Sequence, residues 1–359
     1  MPAFRIALTG DFLNAAGQSA YGDIALSLLD DRRVKYHFLT DHAPRPDDPS
    51  YWDRFYSMEV KPEHIADIDG LIVLRPWVKR STFAHGARDL VVIGRSGAGY
   101  DKIDVQACTD NDVAVFNAPL ALNHPTASAA LLFMLALAKR LPQQERITRR
   151  GRWDLQEQTM GSELHGRTLG IIGLGHTGRE LVRLVQPFAM CVLAYSPQAD
   201  AADAERLGVR LTSLDAVLQE ADVISLHCRL TDETRGMIGA RQLALMKPTA
   251  HLINVARGQL VDQQALVEAL RERRIAGAGL DVFEIEPLPA DDPLLSLDNV
   301  IATPHWLAST TDVWQATGLA MAEGMLAAAR GEVPANVVNP EVLLHANFRR
   351  KLARFEQIT

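Results

Sequence analysis

The chain has 359 residues, 23% of them charged and 47% hydrophobic, with a formal net charge of -7. That length exceeds what one ordinary core serves, so two domains are expected. The acidic balance and the lack of a long basic run give no support to a nucleic-acid partner, and no apolar run approaches the ~20 residues of a bilayer span, so no membrane partner is expected.

The N-terminus, Met1-Pro2-Ala3-Phe4-Arg5-Ile6, leads straight into a strand-like segment, without a basic region, an apolar stretch and a cleavage site. A cytoplasmic protein is expected on that basis. The first third alternates short apolar runs with helix-like stretches. Phe4–Thr9, Val34–Leu39, Leu71–Leu74, Leu90–Ile93 and Val113–Phe116 read as buried strands, because each is short, apolar and bounded by polar or turn residues. Such strands belong to a parallel α/β sheet. Cys108, Cys191 and Cys228 are an odd, widely spaced set. They imply neither a disulfide framework nor a metal site, and all three are expected to be reduced, structural and little exposed.

From Ala127 to Arg140 an Ala/Leu-rich run with basic residues at its end reads as a buried helix that crosses into a second domain. There the candidate strands are Thr168–Ile172, Cys191–Tyr195, Val223–His227, His251–Val255, Gly279–Val282 and Val300–Thr303, with helical patterns such as Gly178–Phe188 and Gln263–Arg273 between several of them. Six strands suit a doubly wound sheet. A long helix over Thr310–Arg330 is expected to cross back, which gives residues 1–118 with 309–359 as one domain and 119–308 as the dinucleotide-binding domain. Leu343–Thr359 reads as a basic helical extension with no assigned role.

The sharpest local signal is Gly173-Leu174-Gly175-His176-Thr177-Gly178, directly after a strand and directly before a helical pattern. In a dinucleotide-binding unit the first glycine makes the tight turn and the second admits a pyrophosphate. The third allows close packing of helix on strand. The backbone at His176 and Thr177 then faces the phosphates at the helix N-terminus. The residue expected to read the adenosine ribose, at the end of the next strand, is Ser196 rather than an acid. NAD is the expected cofactor, with NADP also possible, since serine does not repel a 2′-phosphate and Arg229 ends the neighbouring strand.

Three later segments each place a polar residue after a strand: Asn254-Val255-Ala256-Arg257-Gly258, Asp281-Val282-Phe283-Glu284-Ile285-Glu286-Pro287 and Thr303-Pro304-His305-Trp306. Ligands of open α/β sheets bind beyond the carboxyl ends of strands, so all three point to one crevice. Hydride transfer from a nicotinamide to a carbonyl carbon leaves an oxygen that gains a proton. Histidine suits the proton donor, a neighbouring carboxylate favours its imidazolium form, and a guanidinium matches a carboxylate and growing negative charge.

With the glycine motif, these segments resemble the D-isomer-specific 2-hydroxyacid dehydrogenase family, densely from about Val91 to His305. The resemblance implies a flavodoxin-like substrate domain and a Rossmann NAD(P)-binding domain, two doubly wound parallel sheets with a cleft between them. It implies that His305 is the acid/base, that Glu286 orients and charges it, and that Arg257 binds the substrate. Asp281 corresponds to the residue that bonds the nicotinamide carboxamide, and the backbone N–H groups of Ala98 and Gly99 match the loop that holds the substrate carboxylate. The partner implied is a small 2-hydroxy or 2-keto acid, and a homodimer built through the cofactor domain is expected. Formate chemistry is disfavoured, because that branch carries glutamine where Glu286 stands. A dinucleotide-sensing corepressor is the alternative from another class. Trp306 and Leu307 add bulk where relatives are small, Ser128 replaces a family glutamate, and Arg75 and Trp77 follow a strand that could line a side-chain pocket.

Overall fold

In a computed structural model of the protein, residues 3–14, 16–40, 44 and 48–356 are described. The chain forms two compact units, Met1–Leu122 with Ser309–Thr359, and Asn123–Ala308.

The first unit holds five parallel strands, β1 (Phe4–Thr9), β2 (Val34–Leu39), β3 (Gly70–Val73), β4 (Val92–Arg95) and β5 (Ala114–Asn117), in the order β2-β1-β3-β4-β5. Strands buried on both faces need apolar side chains throughout. Phe4, Ile6 and Leu8 on one face of β1 pack with Phe116 and Met325, while Ala7 on the other packs with Leu71 and Ile93. The helix Thr311–Ala328 covers the first of these faces, started by Thr310, whose side chain accepts from the Val313 N–H. The chain reverses its winding between β1 and β3, so the crevice at a topological switch point lies at their carboxyl ends.

The C-terminal segment is part of this core rather than an appendage. The helix Ala346–Ala353 buries Phe348 and Leu352, and Phe355 meets Phe4 edge-on at 4.9 Å. The buried Lys351 ammonium donates to the carbonyls of Leu90, Asn111 and Asp112. Residues 357–359, the end of the expected extension, lie outside the described residues.

The second unit holds seven parallel strands, one more than expected: β6 (Thr168–Ile172), β7 (Cys191–Tyr195), β8 (Val209–Leu211), β9 (Val223–Leu226), β10 (His251–Asn254), β11 (Gly277–Leu280) and β12 (Val300–Ala302). Their order is β12-β11-β10-β9-β6-β7-β8, with the switch between β6 and β9. The extra strand, β8, is an edge strand of three residues, too short to display a period. The expected α/β class with two doubly wound parallel sheets stands.

Two expectations change here. The stretch Leu120–Ala138 is long and apolar enough, by length and composition, to cross a membrane. Its residues Ala127, Ala130, Phe133, Met134 and Leu137 instead pack into the core of the second unit with Leu169, Ile171 and Leu181. Cys191 is exposed at the start of β7, whereas Cys108 is buried and Cys228 is intermediate, so low exposure does not hold for all three cysteines.

Candidate active site

At the mouth of β6 the three glycines of the motif differ in what confines them. Gly173 has φ +96, a region L side chains rarely adopt, and a Cβ there would stand 2.5 Å from the Cys228 backbone nitrogen. At Gly178 a Cβ would meet the Gly173 carbonyl at 2.4 Å, so only a bare backbone lets the helix His176–Val185 sit against the strand. At Gly175 nothing of the protein lies within 4 Å of a Cβ position. Its backbone is exposed and the helix N-terminus beside it has no side-chain cap. The N–H groups of a first helical turn have no intrahelical partner, so the cradle suits a pyrophosphate. The residues present therefore fit a dinucleotide. Ser196 stands just beyond β7, next to β6 in the sheet.

The proton-transfer candidates stand beyond three neighbouring strands at the other side of the switch. Arg257 follows β10, Glu286 follows β11 and His305 follows β12. His305 Nδ1 lies 2.8 Å from Glu286 Oε2, and Glu286 Oε1 accepts from the Phe283 N–H at 3.1 Å. Burial pushes the Glu286 carboxyl up. The His305 hydrogen bond and charge, the Phe283 N–H and the Arg257 charge outweigh it and hold the group below the ordinary carboxylate value. A carboxylate kept ionised beside Nδ1 leaves Nε2 of the ring to exchange a proton.

Local structure explains why these side chains stay in place. Asn254, buried at the end of β10, donates to the Arg257 carbonyl at 2.9 Å and accepts from Ala256 N–H at 3.1 Å. Gly258 presses on the Phe283–Glu284 peptide so closely that a Cβ would fall 1.8 Å from the Phe283 carbonyl carbon. The arginine loop and the glutamate loop are thereby packed backbone to backbone. His305 itself has φ 53, a left-handed conformation that costs an ordinary residue about 1–2 kcal/mol. The turn is held by Asp281, whose Oδ1 accepts from Thr303 Oγ1 at 2.6 Å, Trp306 N–H at 3.0 Å and Leu307 N–H at 3.2 Å.

Asp281 thus works first on its own protein, clamping the histidine turn, in addition to any bond it makes to a nicotinamide. Burial raises its carboxyl above the usual range, partly offset by the Thr303 bond, the His305 charge and the two N–H groups. Asn254, Gly258 and Thr303 lie inside the motif segments without having been assigned a role. Their signal was contiguity with Arg257 and His305, and what they touch emerges only in the fold.

Among the expected residues, His305 and Glu286 meet directly, the charge of Arg257 acts on Glu286, and Asp281 holds the turn that carries His305. The glycine turn and Ser196 lie at other strands of the same sheet. Ala98 and Gly99 belong to the first unit, in the loop after β4. Asn117 donates to the Ala98 carbonyl at 2.6 Å, and the Ala98 and Gly99 N–H groups make no hydrogen bond among the described residues. Arg75 follows β3 in that unit, and Trp77 pairs with Glu59 in an isolated bridge. Among the described residues no cluster of His, Cys, Asp and Glu is arranged to hold a metal.

Residues 131–306 match the family model described as "D-isomer specific 2-hydroxyacid dehydrogenase, NAD binding domain". The chain is 44% identical over 278 residues to a D-3-phosphoglycerate dehydrogenase of Methanocaldococcus jannaschii, covering 77% of this chain and 53% of that protein. It therefore spans about half the length of that relative. To a glyoxylate reductase of Korarchaeum cryptofilum it is 40% identical, covering 80% of this chain and 87% of the other. Among solved structures, a D-lactate dehydrogenase of Aquifex aeolicus, complexed with NAD and lactic acid, superposes with a TM-score of 0.78 at 27% identity, covering 93% of this chain and 98% of that one. The chain belongs to the D-isomer-specific 2-hydroxyacid dehydrogenase family, and its second unit carries the NAD-binding domain of that family.

Proposed function

We propose that the protein catalyses the reversible interconversion of a D-2-hydroxy acid and its 2-keto acid with NAD. The observation that carries this reading is the His305–Glu286 pair at 2.8 Å, beyond adjacent strands and under the charge of Arg257. When bound, the nicotinamide supplies or accepts the hydride. The protein does the rest. Arg257 takes the substrate carboxylate and stabilises charge growing on the carbonyl oxygen. His305 donates from Nε2 to that oxygen as it becomes a hydroxyl, and takes the proton back in the oxidative direction. Glu286 holds the ring through Nδ1 and balances its positive charge. In the first unit, the loop after β4 offers two backbone N–H groups, those of Ala98 and Gly99, that suit a carboxylate. A histidine held through Nδ1 by a buried carboxylate is placed for proton transfer, which favours turnover over the corepressor reading.

NAD is the proposed preferred partner, with weak discrimination, because Ser196 does not repel a 2′-phosphate and offers it no countercharge. A homodimer is proposed through the second unit, where Leu132, Leu141, Trp153 and Met160 are large, apolar and exposed. The proposed location is the cytoplasm. Steady-state assays of glyoxylate, hydroxypyruvate, pyruvate and phenylpyruvate with NADH and NADPH test the reading. Turnover of at least one acid is expected, with NADH favoured by less than about tenfold. No turnover with any acid, in folded protein that binds NADH, would refute it.

A further inference from the structure

We infer that Arg179 and Asp203 form an exchangeable pair that sets how well a cofactor's 2′-phosphate is accepted, with Arg179 as the countercharge and Asp203 as the residue that withholds it. This rests on the cofactor reading above, in which Ser196 neither repels a 2′-phosphate nor offers it a charge, and adds the residues that decide between NAD and NADP.

The adenosine ribose of a dinucleotide is read at the end of the strand after the glycine turn, where an acid selects NAD and a nearby arginine accommodates NADP. Here that strand is β7, and Ser196 follows it. The Ala199 N–H closes a turn onto the Ser196 carbonyl at 3.0 Å, and Asp200 then caps the helix Ala201–Arg206 by accepting from the Asp203 N–H at 2.9 Å. Only that turn and the helix cap separate Ser196 from Asp203. Arg179 meets Asp203 from another element. It stands in the helix His176–Val185, directly after the third glycine of the motif. Its Nε donates to the Leu174 carbonyl, inside the glycine turn, at 3.3 Å, and its Nη1 and Nη2 lie 3.2 and 3.3 Å from Asp203 Oδ2. One guanidinium thus ties the glycine turn to the helix that follows the ribose loop.

Two features make this pair exchangeable rather than a fixed strut. Both Arg179 bonds go to one oxygen, at distances beyond the about 2.7–2.9 Å of strong charge-assisted bonds, and the two side chains stay 37% and 32% exposed, where water screens their attraction. Second, Asp203 has another cation, because Arg206 Nη2 donates to its Oδ1. Arg179 can therefore leave without orphaning the carboxylate. The adjacent Glu180 is taken by Arg183 and His124, so Asp203 is the acid that holds Arg179 among the described residues.

The charges decide the direction of the effect. A phosphate monoester carries about −1.5 to −2 charges near neutrality, against the single charge of a carboxylate already shared by two arginines. It therefore competes with Asp203 for the guanidinium fork. NAD leaves the pair as it is. NADP has to part Arg179 from Asp203 and then brings its phosphate near an acid that has lost one of two countercharges. Discrimination is for that reason weak and in favour of NAD, and it resides in Asp203 rather than in Ser196.

Fluorescence titrations with NADH and NADPH give the ratio of the two dissociation constants, and competition by adenosine 2′,5′-bisphosphate and by AMP reads the adenosine end alone. Asp203→Asn, which frees the guanidinium and removes the acid, should shift the ratio about tenfold toward NADPH, and Arg179→Met about tenfold away from it. Arg179→Lys, which keeps the charge and loses the fork, should fall between wild type and Arg179→Met. Should Arg179→Met misfold, Arg179→Lys and Asp203→Asn read the same ratio. A merely structural tie would weaken both cofactors alike and leave the ratio intact, which overturns the proposal. Loss of NADPH affinity in Arg229→Met but not in Arg179→Met overturns it as well. Binding of neither dinucleotide overturns the cofactor reading itself, whereas binding of both at one unchanged ratio in every variant overturns only the exchange at Arg179.

Discussion

The two units place functional groups in opposite ways. In the second, Arg257, Glu286 and His305 follow three adjacent strands, and the residues that hold them, Asn254, Gly258 and Asp281, lie in the same short segments. In the first, Asp11, Tyr21, Phe55, Arg75 and Trp314 come from distant parts of the chain and meet only in the fold. The contrast follows from what each task needs. Proton and hydride transfer require a few groups set to fractions of an ångström, which short loops clamped by their own backbone provide. The group around Arg75 is held by packing between elements, so residues from many parts of the chain share that work.

The largest effect that would break this comparison is expected from His305→Ala. Turnover should fall about 10³-fold while the NADH dissociation constant changes less than about threefold, because the role proposed for the histidine is at the carbonyl oxygen and not at the cofactor. Stopped-flow turnover and a fluorescence titration measure the two quantities, and equal losses in both would remove His305 from the chemistry.

A sharper distinction lies within the glycine motif. Gly175→Val meets no protein atom near its new Cβ, so the thermal midpoint should hold while NADH affinity drops at least about 30-fold. Gly178→Val drives a side chain into the Gly173 carbonyl and should cost about 2–4 kcal/mol of stability. Matching stability losses in the two variants would mean that Gly175 is kept for packing and not for a phosphate.

The smallest expected effect concerns His227, at the end of β9, whose Nε2 lies 2.8 Å from Ser225 Oγ. Burial pushes its imidazole down to about 4. An unfolded chain takes that proton near pH 6.5. The folded state is therefore at full advantage above pH 6.5 and loses it as pH falls toward 4, by about 2 kcal/mol. Urea midpoints at pH 7 and pH 4.5 should lie closer together in His227→Gln than in the wild type; an equal gap in the two proteins would refute the burial argument.

Strands were legible where the apolar run and its flanks coincide. Phe4–Thr9, Val34–Leu39, Thr168–Ile172 and Cys191–Tyr195 form as the pattern predicts. Others shift by a residue or two, as Leu90–Ile93 does to Val92–Arg95, because the apolar run starts before the first ladder pair and the pairing continues beyond it into Gly94 and Arg95. Cys191 misled for a different reason: composition says that cysteines are buried, but the first residue of β7 faces solvent.

What the sequence alone determined is the class of sheet, the glycine turn and the residue types of the proposed proton-transfer group, since all are written in contiguous segments with a local physical meaning. Only the tertiary structure decided that the C-terminal helix completes the first core, that Asp281 clamps the histidine turn and that Asp11, Tyr21 and Phe55 surround Arg75. Those facts depend on contacts between residues tens to hundreds of positions apart, and no local pattern carries the register that brings them together.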